Sequence, residues 1–373
     1  MPEQLSPQPA YVAPGMPPLD LSGRSTSFFE FWPTWLMYIP VVLQWLLLSI
    51  RYGSLSLPLI ANPSVPLSGM VGAAKSTVFN RAGPRARQWI LPWLVLPTDE
   101  RPVAALLAEA ERQMAGAALQ YPLVAKPDFG CRGAGVKLIA DGDALAAYIE
   151  SFPRGAAIQL QQLCNWEAEA GVFYVRYPDQ ARGEITSLTL KYTPFVVGDG
   201  ERSLGELVRA DPRAGELLHL YFERHGDRWD EVIAAGEPYR LVFSASHCRG
   251  AVFRDASHLI TAELREVLDH IFDDIEAYYY GRLDIKFKDI ASLQAGRDFA
   301  IIEINGASSE SINIWDRNMT IGAAMNTLLQ QYHTLFKLGS ANRKRGHRTP
   351  GLGALYQAWR YERQLVRQYP KND

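Results

Sequence analysis

Asp284, Glu303 and Asn305 are the residues of this chain whose types and spacing best suit chemistry. Two carboxylates and a carboxamide offer only oxygen ligands. Mg²⁺ takes such a set when it also shares nucleotide phosphates. The three lie in residues 281–310, within two short runs of strict alternation. In the first, Arg282, Asp284 and Lys286 alternate with Leu283, Ile285 and Phe287; in the second, Ile302 and Ile304 alternate with Glu303 and Asn305. A strand sends successive side chains to opposite faces, so each run carries one apolar, core-directed face and one charged face. Alternation alone also describes an ordinary sheet face turned to solvent.

Further stretches bear on the choice. In LVAKPDFGCRGAGVKLI (123–139) a strand ends in Lys126, a loop carries Gly130, Gly133 and Gly135, and a second strand follows. Glycines let backbone amides approach phosphate oxygens, and a lysine adds a point charge. No helix follows directly, so this is neither a Walker loop nor a dinucleotide fingerprint, and a plain β-turn is the structural alternative. Farther on, a strand ends in Gln161 and Gln162, and a loop bears Glu167 and Glu169. Backbone groups there suit an adenine edge and a carboxylate beyond suits ribose hydroxyls, although both also read as surface residues. Lys191 stands in an apolar strand ahead of VVGDG, an expensive place for an idle charge. Arg249, beside Gly250, can clamp a carboxylate or phosphate bidentately. Lys75 follows a glycine-bearing segment, but GxxxxGK[ST] is not met, and a structural turn is the expectation.

The elements that must position these residues alternate irregularly. Helices are predicted from Pro102, over 143–152, from Ser203 with capping-box spacing to Glu206, over 261–280 and over 321–338. Strands are predicted at 122–126, 136–140, 157–163, 170–177, 184–190 and 239–245, besides the pair in 281–310. Without regular βαβ alternation the fold class is α+β. The domain expectation is a disordered Pro-rich arm over 1–26 and an apolar segment over 27–50. A reduced region at 51–100, a main domain at 101–338 and a basic tail at 339–373 follow.

With 373 residues, 47% apolar and 21% charged, the chain is long enough for a large core. A net charge of −2 gives no electrostatic case for a nucleic-acid partner. Cys131, Cys164 and Cys248 form no metal or disulfide pattern and read as small packing residues in a reducing compartment.

From Phe31 to Ile50 no residue is charged. At ~1.5 Å per residue, a helix there would cross a ~30 Å hydrocarbon core. Trp32, Trp35 and Tyr38 sit at one end like interfacial aromatics, while Pro33, Pro40 and Gln44 count against a simple spanning helix. The expectation for 27–50 is membrane attachment, spanning or re-entrant, with a buried hairpin or a partner-binding helix as the alternative, and the basic flank after residue 50 predicts a body on the cytoplasmic side of the inner membrane. In the tail Leu352, Leu355, Tyr356, Trp359 and Val366 recur at helical spacing among arginines. That pattern suits either an anionic membrane surface or docking on the core.

Taken in order, Lys126 with its glycine loop, Gln161–Gln162, Glu169, Lys191 before VVGDG, Arg249, Arg282-x-Asp284 and Glu303-x-Asn305 resemble the ATP-grasp superfamily. The likeness is to its D-alanine–D-alanine ligase and cyanophycin-synthetase or glutamate-ligase branches, and covers about residues 100–335. The resemblance implies two α+β subdomains sandwiching ATP, with Lys126 and Lys191 on the phosphates and the loop at 128–135 closing over them. It implies Glu169 at the ribose, with Glu167 as the alternative, and Gln161 at the adenine. It implies Asp284, Glu303 and Asn305 on Mg²⁺ (or Mn²⁺), and Arg282 and Arg249 stabilising an acyl phosphate and the tetrahedral intermediate. The activity it implies is an ADP-forming ligase that joins a carboxylate to an amine, both small-molecule or lipid-linked. A phosphotransferase and a non-catalytic nucleotide-binding membrane module are the alternatives. Two departures bear on substrate. Residues 51–100 do not read as the βαβ domain that usually precedes, and GASSESINIW follows Asn305 where D-alanine enzymes carry a Pro-Gly loop.

Overall fold

The computed structural model describes residues 11–20, 27, 29, 32–130 and 133–370. Cys131 and most of the expected Pro-rich arm lie outside them. In chain order the helices are α1 (Thr34–Tyr52), α2 (Lys75–Arg81), α3 (Pro84–Arg87), α4 (Val103–Gly116), α5 (Gly142–Ser151), α6 (Leu204–Ala210), α7 (Leu218–His225), α8 (Ala262–Asp273), α9 (Ile290–Gln294), α10 (Ile321–Lys344) and α11 (Leu352–Val366). The strands are β1 (Trp93–Pro97), β2 (Leu123–Pro127), β3 (Lys137–Ile139), β4 (Ala157–Gln162), β5 (Ala168–Val175), β6 (Glu184–Tyr192), β7 (Phe195–Val197), β8 (Pro238–Arg240), β9 (Val252–Asp255), β10 (Tyr280–Phe287) and β11 (Phe299–Asn305).

The smaller of the two main sheets has the order β1-β4-β2-β3, with antiparallel pairs. One face sends Leu94, Leu96, Leu123, Ala125, Ile158 and Leu160 into a core with α4 and α5. α4 presents Leu106, Ala110 and Met114 to that core, the i, i+4, i+8 stripe of an amphipathic helix. Asp141 caps α5 by accepting from the Ala144 amide. By strand alternation Lys126, Gln159 and Gln161 share the opposite face.

The larger sheet has the order β11-β10-β5-β6-β9, again with antiparallel pairs. Leu283, Ile285 and Phe287 face a core that includes Leu264, Leu268, Ile271 and Phe272 of α8. The capping box at Ser203 and Glu206 forms as the sequence predicts, and starts α6. α6, α7, β7 and β8 enclose a smaller core of their own.

Several expectations need correction. Residues 11–20 are not a free arm, because Ala13 and Met16 bury in the large-sheet core. β5 begins two residues before the predicted strand, which moves Glu169 from a loop into the strand. α8 stops at Asp273 rather than 280, because the chain must turn before Tyr280 enters β10. β8 is short and β9 was not foreseen. α10 runs six residues past 338, absorbing the start of the basic tail. Within 51–100, β1 was missed; it pairs with β4. Asn62 also holds that region to β10, accepting from the Tyr279 and Tyr280 amides and donating to the Tyr280 carbonyl. Cys248 is exposed and Cys164 half-buried, so neither is a fully packed core residue.

The alternation in β11 is broken. A register shift follows the Asp284–Glu303 pair, so that Ile285 pairs with Ile301 and Ile302 is skipped. This β-bulge makes Ile301 and Ile304 the core residues and leaves Ile302 half-buried, against the predicted Ile302/Ile304 face.

Candidate active site

The large sheet lays its charges out in cross-strand rows. Glu303 faces Asp284, which faces Gly171, which faces Thr189. In the next row Lys286 faces Glu169. Asn305 faces Arg282 in the row on the other side. The sequence pattern therefore did bring Asp284, Glu303 and Asn305 side by side. A side chain at Gly171 would put its Cβ 3.2 Å from Arg282 Cδ and 2.8 Å from Ile312, so glycine there makes room for the arginine stem to cross the strand.

Asp284 is the hub. It is 4% exposed. Its Oδ1 accepts from Arg282 Nε at 3.0 Å and pairs with Lys191 Nζ at 3.0 Å. Its Oδ2 accepts from Arg282 Nη2 at 3.1 Å and from Asn305 Nδ2 at 3.0 Å. Burial opposes its charge, but Arg282 and Lys191 outweigh burial and hold the carboxyl well below the usual range. Lys191 also donates to Glu169 Oε1 at 2.8 Å, and Lys286 stands 3.4 Å from Glu169 Oε2. At Glu169 burial again opposes the charge, and Lys191 and Lys286 win, so its pKa is lowered. Lys191 is held above its ordinary value by Asp284 and Glu169 against burial. Glu167 is exposed, and it is its backbone carbonyl that accepts from Lys286, at 3.1 Å.

Lys126 joins the sheets. Its Nζ donates to Gln161 Oε1 at 2.9 Å on the small sheet, and to the Ile302 carbonyl at 2.9 Å on the large one. The bulge supplies that acceptor, since an unpaired residue frees a carbonyl from the ladder. Burial pushes Lys126 down to about 8, with only partial relief from Glu303 and other carboxylates.

Lys75, read from sequence as part of a turn, belongs here as well. It donates to the Gly130 carbonyl at 2.8 Å and lies 3.7 Å from Glu303 Oε1. Neighbouring Ser76 donates its amide and hydroxyl to Asp128 at 2.8 and 2.7 Å. The Lys-Ser pair after glycines was the available signal; only its contact with a loop some 55 residues onward gives it meaning. Arg249 also meets the glycine-rich loop. Gly133 is left-handed at φ +69°, and a Cβ there would stand 2.9 Å from Arg249 Nη1. From the other side Tyr369 donates its hydroxyl to the Phe129 carbonyl, and Tyr361 packs edge-on against the Phe129 ring. The basic tail helix α11 is thus docked on the body near this loop.

Several buried polar atoms have no partner among the described residues: both amide atoms of Gln159, Gln161 Nε2, Thr189 Oγ1 and Arg249 Nη1. The glutamines share the face of Lys126, Thr189 shares the row of Asp284, and Arg249 abuts the loop. Buried groups of this kind normally find partners, so the arrangement fits a polar ligand between the sheets. The oxygen set also suits a hard cation, with one constraint. All four acceptor positions of Asp284 are used, so a cation there must displace Lys191, Arg282 or Asn305. Among the described residues no three His, Cys, Asp or Glu side chains form a metal-holding group, so the Asn305 oxygen would be needed.

No family model and no curated protein matches this chain. Solved structures similar to it include D-alanine–D-alanine ligase from Bacillus anthracis, at 14% identity over 76% of this chain and 72% of that one, with a TM-score of 0.42. D-cycloserine synthetase matches at 11% identity over 70% of each chain, with a TM-score of 0.37. A bifunctional glutathione synthetase from Pasteurella multocida matches at 14% identity over 69% of this chain, with a TM-score of 0.36. This chain spans 35% of that last protein's length.

Proposed function

We propose that the chain is an ATP-grasp enzyme, an ATP- and Mg²⁺-dependent ligase that joins a carboxylate to an amine and forms ADP. The observation that carries the reading is the buried polar seam between two antiparallel sheets. There Lys126 bridges the sheets and Glu169, Lys191, Arg282 and Asp284 form one network, beside buried polar atoms that lack partners. A polyanion there would add to the counter-charge that Glu303 and the other carboxylates only partly supply to the buried Lys126.

ATP and its metal would supply a phosphoryl group to activate the carboxylate. What the chain's residues do is positioning and charge neutralisation, the main demands of phosphoryl transfer. Lys126, Lys191 and Lys75 are the cations for phosphate oxygens, and Gly130, Gly133 and Gly135 allow backbone approach. Glu169 and Gln161 remain the proposed ribose and adenine contacts. Arg282 and Arg249 are the proposed stabilisers of the reacting acyl group. Asp284, Glu303 and Asn305 are the proposed metal ligands, with Asp284 exchanging part of its present network for the ion.

The substrates we propose are a small-molecule or lipid-linked carboxylate and an amine, handled at the cytoplasmic side of the inner membrane, with α1 as the apolar segment. The test is mass spectrometry of products after incubating the protein, MgATP and a cell metabolite and lipid extract. A new amide with equimolar ADP supports the ligase. A product heavier by one phosphoryl group identifies a kinase instead, and no ADP from any extract overturns both.

A further inference from the structure

α1 is the longest apolar helix among the described residues, and its packing is one-sided. Met37, Val41 and Leu48 bury against Ala324, Leu328 and Phe336, joined by Tyr38, Trp45 and Tyr52. Residues near the start of α1 meet the start of α10 and residues near its end meet later ones, so the two helices run parallel. The outer face of α1 carries Trp35, Ile39, Leu43, Leu46, Leu47 and Ile50, all exposed, with Ile50 at 81%. Their spacing of three and four makes one continuous stripe.

α10 cannot leave the body. Leu335 and Leu338 pack with Phe173 and Tyr280 of the large sheet, and Asn342 donates to the Ile60 and Ala61 carbonyls. If α1 crossed a bilayer, α10 would be drawn in alongside it with Gln330, His333 and Lys337. Hydrocarbon excludes such groups.

The end of the stripe is cationic. Arg51, Lys337, Arg343, Lys344 and Arg345 are exposed there. Arg343 donates to the Tyr52 carbonyl at 2.9 Å, fixing this cluster to the end of α1. Lys337, Lys344 and Arg345 line a cleft with Tyr52, Ser340 and Asp179; Arg345 is paired there with Asp179 at 3.1 Å, which leaves Lys337 and Lys344 as the cations for a phosphate. Apolar surface rimmed by basic side chains matches the acyl–headgroup boundary of an anionic leaflet.

We infer that α1 lies in the plane of an anionic membrane surface, its outer stripe in the acyl region and Lys337 and Lys344 of the cleft on lipid phosphate. The inference deepens the membrane placement above and does not depend on the reaction. The full chain is sedimented with vesicles of phosphatidylcholine, with and without phosphatidylglycerol. Anionic vesicles should bind it at least about ten-fold more tightly. Leu43→Glu/Leu47→Glu, on the exposed face and outside the core, should weaken binding to both vesicles at least about ten-fold. It should keep the wild-type circular dichroism spectrum. Lys337→Ala/Lys344→Ala should remove the preference for phosphatidylglycerol. Alkaline carbonate should release the protein from cell membranes. Retention after carbonate overturns the in-plane geometry while keeping the membrane placement, and no binding to either vesicle overturns both. Unchanged vesicle binding, together with a wild-type dimer that Leu43→Glu/Leu47→Glu splits, assigns the stripe to a second copy of the chain.

Discussion

Lys126→Met separates the energetic role of this lysine from its chemical one. Lys126 is 7% exposed and its pKa falls from 10.5 to about 8. A lowered folded-state pKa means that, between about 8 and 10.5, the unfolded chain binds the extra proton and the folded one does not. Stability contributed by this group therefore rises with pH across that window. At pH 7 both states are protonated, and the folded state carries the whole penalty, about 3 kcal/mol at 1.36 kcal/mol per pH unit. Methionine removes the charge but strands the Gln161 and Ile302 oxygens, at about 1 kcal/mol each. The variant should be about 1 kcal/mol more stable than the wild type at pH 7, and about 1 kcal/mol less stable at pH 10, where the wild-type lysine is largely neutral in the fold. Urea unfolding at several pH values gives the difference directly, and subtraction cancels groups common to both proteins. ATP binding, measured by calorimetry, should be lost in the variant. In the wild type near pH 8.5 binding should take up a proton, because phosphate charge restores the lysine's. A stability difference that stays flat from pH 7 to 10 would refute the idea that the lysine is held at a charge penalty.

Three other perturbations test neighbouring parts of the site. Asp284→Asn leaves Arg282 and Lys191 short of their main buried counter-charge; a loss of about 3–5 kcal/mol in urea unfolding is expected, with ADP release abolished. Adding Lys191→Met should recover part of that stability and none of the turnover. Glu310, whose carbonyl accepts from Arg282, has its carboxyl pushed up to about 7 by burial. The raised folded-state pKa means stability falls as pH rises from about 4.5 through 7, so Glu310→Gln should gain about 2–3 kcal/mol at pH 8 and nothing near pH 4.5. Gly133→Ala forces a side chain into a left-handed backbone against Arg249, which should cost about 1–2 kcal/mol and weaken ATP binding in the same calorimetric titration.

Much of this site was legible because charge in an apolar strand is informative. Arg282, Asp284, Lys191 and Lys126 each stood among hydrophobic neighbours, and burial of a charge requires a partner. The capping box at Ser203 and the stripe of α8 were legible for the same local reason, since capping and periodicity are written within a few residues. β1 and β9 were not. Each pairs with a strand distant in sequence, and neither short run carries an alternation of its own. The sequence puts Glu169 in a loop, since the Glu, Ala and Gly of EAEAG are poor strand formers. It is kept in β5 by Lys286 opposite it and Lys191 on the other neighbouring strand.

The order of chemical residues, the α+β class, the apolar segment and the polar face of β10 are properties of the sequence itself, set by side-chain type and periodicity. The tertiary structure decided what those residues touch. The bulge at Ile302 turned a carbonyl toward Lys126, and Lys75 reached the glycine-rich loop. α10 fixed the outer stripe of α1 on the surface of the body. Each of these depends on contacts between segments far apart in the chain, where the cost of bringing them together is offset only by the whole packed fold.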